Sequence, residues 1–233
     1  MSGSYPKPKL VPVPSTNIIP DRDADKSPIL ECRNLGIDFG GLSAVSDFNM
    51  AIGRTEIAGL IGTHSMTTAQ VNRAGIARTF QNIRLFSNLS VEDNVKVGLH
   101  NQMRYGTISG ILRLPGYWKE ERVARERALE LLSIFDMQDL ASHQAGSLPY
   151  GAQRRLEIVR ALASNPSLLL LDEPAAGMNP SETAELMNNI RKIRDTFHIA
   201  IMLIEHDMNL VMGVCEGICV LNFGKVIAKG TPE

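Results

Sequence analysis

A run of four leucines, Leu168 to Leu171, that stops abruptly at Asp172 and Glu173 restricts the possible folds more than any other stretch of the chain. The run does not alternate with polar residues, so it has the pattern of a strand covered on both faces. Strands of that kind belong to parallel sheets, which places the chain in the α/β class. Open α/β sheets bind ligands at the carboxyl ends of their strands, and the two carboxylates fall at that end. A Mg²⁺ held through Asp172, with Glu173 polarising a water, is chemistry that such a pair supports. One helix upstream, Leu148-Pro149-Tyr150-Gly151 reads as a turn feeding a helix from about Ala152 to Ala163, with Leu156, Val159 and Leu162 as its apolar positions. A glycine at the mouth of a helix offers backbone N–H groups and a positive dipole end to an anion such as a phosphate.

The flanking sequence supplies the remaining elements. Residues 1–28 hold half of the chain's 12 prolines and read as a disordered or extended tail. Ile29 to Phe39 and Ala44 to Ile52 read as two strands joined at Gly40-Gly41, with Leu35, Ile37 and Phe39 on one face. Glu56 to Ile61 reads as a buried strand. Ser90 and Asp93 make a capping box for a helix from Val91 to about His100. Lys119 to Phe135 is amphipathic, with Ala124, Ala128, Leu131 and Phe135 along one face. Arg104 to Trp118 shows no period and reads either as a loop packed on the helices or, through its aromatic residues, as a contact patch for another subunit. Asn179, Pro180 and Glu182 form an N-cap, N1 proline and N3 glutamate for a helix that buries Leu186, Ile190 and Ile193. Ile199 to Ile204 is the next buried strand, and a terminal hairpin turns at Phe223-Gly224.

Some functions are excluded early. A net charge of −1 gives no electrostatic case for nucleic acid. The longest uninterrupted apolar run, Ile199 to Ile204, is too short to span a bilayer. Cys32, Cys215 and Cys219 lack a second ligand pair, so they do not read as a metal site.

The stretches LPYGAQRRLEI, LDEPAAGMNP, RTFQNIRLF and LIEHDMNLVM, taken together, resemble the ATP-binding subunits of branched-chain amino-acid ABC importers. The resemblance runs from about Ile29 to the end of the chain. It implies a P-loop NTPase-like mixed sheet with a helical subdomain at about residues 91–147, all within one domain from 29 to 233. It also implies ATP and Mg²⁺ as cofactors, and as partners a second ABC ATPase subunit and transmembrane permease subunits. The resulting location is cytoplasmic, peripheral on the inner face of the cell membrane.

Residue by residue, the resemblance makes Glu173 the catalytic carboxylate, His206 the switch histidine that contacts the γ-phosphate, and Gln81 the glutamine that touches metal or attacking water. Asp172 and Gln81 become the metal ligands. Phe39 stacks on adenine, Gly62 opens the phosphate loop, and Leu148, Pro149, Tyr150, Gly151, Ala152 and Gln153 form the signature segment. Asn179 lies in the loop that follows the acidic strand.

The phosphate loop departs from the family. The pattern G-x-x-x-x-G-K-[ST] needs glycines that let the backbone curl round the phosphates and a lysine for the β and γ oxygens. Residues 62–70 read GTHSMTTAQ, and no lysine stands between Arg54 and Lys96. Only 18 residues separate Gly62 from Gln81, too few for the phosphate-loop helix and the strands that the resemblance implies there. A block of the nucleotide-binding core is therefore expected to be missing, with impaired ATP handling at the chain's own site. Beside that reading stand two others: a non-catalytic partner subunit that donates its signature or acts as a scaffold, and a deletion variant that does not fold stably.

Overall fold

The computed structural model describes residues 30–39, 42–53, 57–59, 72, 75–100, 115–222 and 225–232. The proline-rich segment 1–28, the Gly40-Gly41 and Phe223-Gly224 turns, and the phosphate-loop position from Gly62 to Gln70 lie outside the described residues.

The chain opens with an antiparallel pair, β1 (Leu30–Phe39) and β2 (Leu42–Ile52). Alternation along β1 is broken by register shifts after Cys32, Leu35 and Ile37, and Asn34 sits at φ 49°, so the regular single face expected from sequence becomes a bulged one. Next come β3 (Ile57–Gly59) and β4 (Ile76–Arg78). Helices α1 (Val91–Leu99), α2 (Pro115–Ser133) and α3 (Tyr150–Ala163) lead to β5 (Leu168–Asp172). Then α4 (Pro180–Phe197), β6 (Ala200–Ile204) and α5 (Met208–Val214) lead to the closing hairpin of β7 (Gly217–Asn222) and β8 (Lys225–Gly230).

The main sheet has the order β4-β5-β6-β3-β7-β8, parallel except for β8. Successive residues of β5 point to opposite faces. Leu169 and Leu171 join Ile201 and Leu203 in a core built with the helices. Leu168 faces the other way, packing with Ala200, Met202 and the β2 residues Phe48, Met50 and Ile52. Each face of the leucine run is thus covered, by helices on one side and by the β1–β2 pair on the other, as a parallel sheet requires. Leu170 and Ile204, nearer the carboxyl end of the second face, are only half-buried.

Two helix starts differ from the sequence reading. Helix α2 begins at Pro115, not Lys119, because proline at the first helical position gives up no hydrogen bond; the exposed Trp118 lies in its first turn. Helix α1 begins as expected, with the Ser90 hydroxyl accepting from the Asp93 N–H at 3.0 Å. The Asp93 carboxylate, however, accepts from the Ser90 hydroxyl and not from the Ser90 backbone N–H. The α4 cap is complete: Asn179 accepts from Glu182 N–H, and the Glu182 carboxylate accepts from Asn179 N–H. Asn179→Ala is expected to cost about 1 kcal/mol, read as a shift of the urea midpoint with unchanged slope.

Candidate functional site

Strands β5 and β6 run parallel with Asp172 beside Ile204, so the loops after both strands open at one edge of the sheet. Asp172-Glu173 leaves one strand and Glu205-His206-Asp207 leaves the other. On the far side of β5, β4 delivers Arg78, Thr79 and, three residues beyond the strand, Gln81. Gln81 Nε2 donates to Glu173 Oε2 at 2.7 Å. His206 Nδ1 stands 3.6 Å from the other Glu173 oxygen, with its side chain 75% exposed. Asp172 Oδ2 accepts from Arg78 Nη2 at 2.7 Å. Asp172, Glu173, Gln81 and His206, which lie far apart in sequence, are therefore neighbours here.

The backbone fixes Glu173 tightly. Its N–H donates to Ile204 O at 2.8 Å, and its φ of 45° lies in the left-handed region, where a non-glycine residue costs about 1–2 kcal/mol. Strain of this kind persists only where the surroundings impose it.

Glu205 was not singled out by the sequence reading. It is buried, and its carboxylate accepts from the N–H groups of Ala175, His206 and Asp207, tying the loop after β5 to the loop after β6. Its only sequence signal is its position, a carboxylate directly after a buried apolar strand, as Asp172 is.

The signature residues are helical. Tyr150, Gly151, Ala152 and Gln153 form the first turn of α3, so Tyr150 and Gly151 are helical and not part of the preceding turn, with Pro149 as N-cap and Leu148 buried beneath. Gln153 Nε2 donates back to Leu148 O at 2.8 Å, closing the entry to the helix. Residues 164–167 then reverse the chain into β5, so the start of α3 meets the loop that follows the carboxylates. A Cβ on Gly177, at φ 77°, would sit 3.0 Å from the Tyr150 ring, and one on Gly151 would sit 2.9 Å from Glu182 Oε1. The signature turn and the Asn179 cap are thus packed against each other.

Arg154, another residue the sequence reading passed over, joins this helix to Gln81. It is buried, donates to the carbonyl oxygens of Phe80 and Gln81, and pairs with Glu157 at 3.4 Å. Burial pushes the Glu157 carboxyl above its ordinary value, opposed by the Arg84 N–H and the Arg154 charge.

Phe39 closes β1, opposite Leu42, with its side chain outside the described residues, as is Gly62. The set does not fit a bare divalent cation as it stands. Magnesium needs open oxygen ligands, whereas Asp172 already holds a guanidinium and Gln81 turns its nitrogen, not its oxygen, to Glu173. Among the described residues no group of three or more His, Cys, Asp or Glu side chains converges as a metal site.

Comparison with known proteins bears on the whole arrangement. Residues 46–176 match the family described as ABC transporter. The high-affinity branched-chain amino acid transport ATP-binding protein LivG of Escherichia coli K12 is 39% identical over 236 aligned positions, covering 88% of this chain and 92% of LivG. The corresponding BraF of Pseudomonas aeruginosa is 36% identical over the same shares. Among solved structures, cbiO1 from Clostridium perfringens, part of the ABC transporter complex cbiONQ, superposes with a TM-score of 0.74 at 23% identity, covering 89% of this chain and 90% of that one. A nucleotide-free ATP-binding cassette from an ABC transporter gives 0.71, also at 23% identity, covering 89% and 92%. The sheet order, the converging strand ends and these likenesses agree: the chain belongs to the ABC transporter family of ATP-binding proteins.

Proposed function

We propose that the chain is the ATP-binding subunit that energises import of an amino acid, of the branched-chain class, through a membrane ABC transporter. The likeness to LivG over nearly the full length of both chains carries this reading. The subunit works beside a second ABC ATPase subunit and on transmembrane permease subunits, at the inner face of the cell membrane. No helix among the described residues is long and apolar enough to cross a membrane, which is in keeping with a peripheral subunit anchored by its partners.

Its role in the pair is unequal. The LivG alignment runs over 236 positions, while 88% of the 233-residue chain supplies about 205 residues, so about 30 positions have no residue of this chain opposite them. That supports the reading that a block around the phosphate loop is missing. The chain's own site, with Gly62, Phe39, Asp172, Glu173, Gln81 and His206, is then impaired. The segment from Leu148 to Gln153 instead completes the site built on the partner's intact phosphate loop, with Asn179 placing the neighbouring loop. In a complex with an intact partner, Gly151→Ala is expected to lower ATPase activity by about 10- to 100-fold, because the new methyl meets Glu182 and tilts the first turn of α3. Unchanged turnover, in a variant whose melting temperature is also unchanged, would sink the signature-donor reading.

A second reading, a scaffold that binds the importer without nucleotide, is favoured by one observation: Asp172 and Glu173 are both engaged by side chains of the chain itself. Copurification with the partner that survives both nucleotide removal and Glu173→Gln would support the scaffold. Loss of the complex on nucleotide removal would support the ATP-dependent role.

A further inference from the structure

Arg78 is the last residue of β4, and it lies beside Leu170 in the parallel β4–β5 register. With a two-residue side-chain period, Arg78, Leu170 and Asp172 leave the sheet on the same face. The Arg78 guanidinium reaches along that face to Asp172, with Nη2 2.7 Å from Oδ2 and the two side chains 24% and 18% exposed. The backbone around the pair is pinned. Thr79 N–H donates to Leu170 O at 2.9 Å, and the Thr79 hydroxyl accepts from the Asp172 N–H at 3.3 Å. Phe80 lies 5.5 Å from the guanidinium carbon and supports it further. This is not a loose meeting of two long surface side chains, because aspartate is short and both strands are tied at the point of contact. A charge-assisted contact of this length satisfies a carboxylate much as a metal ligand bond would.

The loops that leave β5 and β6 at the same edge also carry Glu173, Glu205 and Asp207, so a cation beside Asp172 is favoured electrostatically. We propose that Arg78 takes the place of a divalent cation at Asp172. The carboxyl end of the sheet is held by a cation from the chain itself, and a metal ion reaches Asp172 only by displacing the guanidinium. This rests on the β4–β5 geometry and stands whether or not the chain donates its signature segment to a partner.

The test is Mn²⁺ binding to the full chain without nucleotide, followed by electron paramagnetic resonance, with thermal unfolding in EDTA and in Mg²⁺ alongside. The unsubstituted chain is expected to show no Asp172-dependent Mn²⁺ binding up to about 1 mM and the same melting temperature in both buffers. Arg78→Gln is expected to bind Mn²⁺ at least about tenfold more tightly, to lose that gain when combined with Asp172→Asn, and to melt higher in Mg²⁺ than in EDTA. Arg78→Lys, which keeps the charge on a differently shaped head, covers the case in which the glutamine variant does not fold, and a smaller gain is expected from it. Mn²⁺ binding by the unsubstituted chain that disappears in Asp172→Asn overturns the proposal. A folded Arg78 variant with no gain in Mn²⁺ affinity overturns it as well.

Discussion

Arg154→Ala is expected to lower the stability of the chain by about 3–5 kcal/mol, the loss typical of breaking a buried ion pair from one side. Three acceptors lose a donor at once: the carbonyl oxygens of Phe80 and Gln81 and the carboxylate of Glu157. Glu157 is the most costly of them. Burial already raises its pKa, and without Arg154 only the Arg84 N–H, the Phe80 N–H and the Arg160 charge oppose that shift, so proton uptake is favoured further. Replacing Arg154 and Glu157 together with leucine or methionine removes the buried charge from both sides, so the double variant is expected to recover most of the loss. Arg154→Lys is not expected to rescue, since a single ammonium cannot span two carbonyls as the guanidinium fork does. Urea denaturation of the four proteins checks the order. A double variant no more stable than Arg154→Ala would show that the carbonyl contacts, not the charge, dominate.

Gly98→Ala is expected to destabilise by about 2 kcal/mol, against the intrinsic preference of a helix. In an open helix interior the same change would stabilise by about 1 kcal/mol. Here α1 approaches α3 so closely that a Cβ at residue 98 would stand 2.4 Å from the Arg160 carbonyl oxygen and 2.8 Å from the Ala163 methyl. Neither can swing aside, because one is backbone and the other has no rotatable chain. The two helices must separate, opening the contact among Val95, Leu99, Leu162 and Ala163. The measurement is the denaturation midpoint, and the sign alone decides. A rise would mean that the helices slide apart at no cost and that the glycine is not required by packing.

The elements legible in the sequence are those whose cause is local. Helix α4 announces itself through Asn179, Pro180 and Glu182, because a cap is a property of four adjacent residues. Strand β5 is legible because burial on both faces forbids polar residues, and the β7–β8 hairpin because its turn lies between two short apolar runs. Strand β4 is not legible in the sequence, since three residues carry no period and the partner that makes them a strand is about ninety positions downstream. The sequence pattern puts the start of α3 two residues late, because its signature glycine reads as a turn residue, whereas Pro149 serves as the cap. At the site, the convergence of Gln81, Glu173 and His206 could be anticipated from resemblance alone, as no spacing rule links residues so far apart. The contacts of Arg78, Arg154 and Glu205 were not legible by either route. They depend on which strand lies beside which and on how near a helix comes to a loop.

The central position of β3 has a consequence for the order in which the chain can assemble. Its three residues pair with Ile201 to Leu203 on one side and with Gly217 and Ile218 on the other. As the chain is synthesised from its N-terminus, β3 emerges early, and roughly 160 further residues must follow before its last partner exists. Strands β4 and β5, with the helices between them, can pair well before that. The middle of the sheet thus closes late, with only β8 left to add at the edge, and a nascent chain carries the β7-facing side of β3 unpaired throughout the interval. The contacts that complete the sheet are among the longest in sequence separation, the kind that slows folding most, and until they form it is the supply of C-terminal residues that holds folding back.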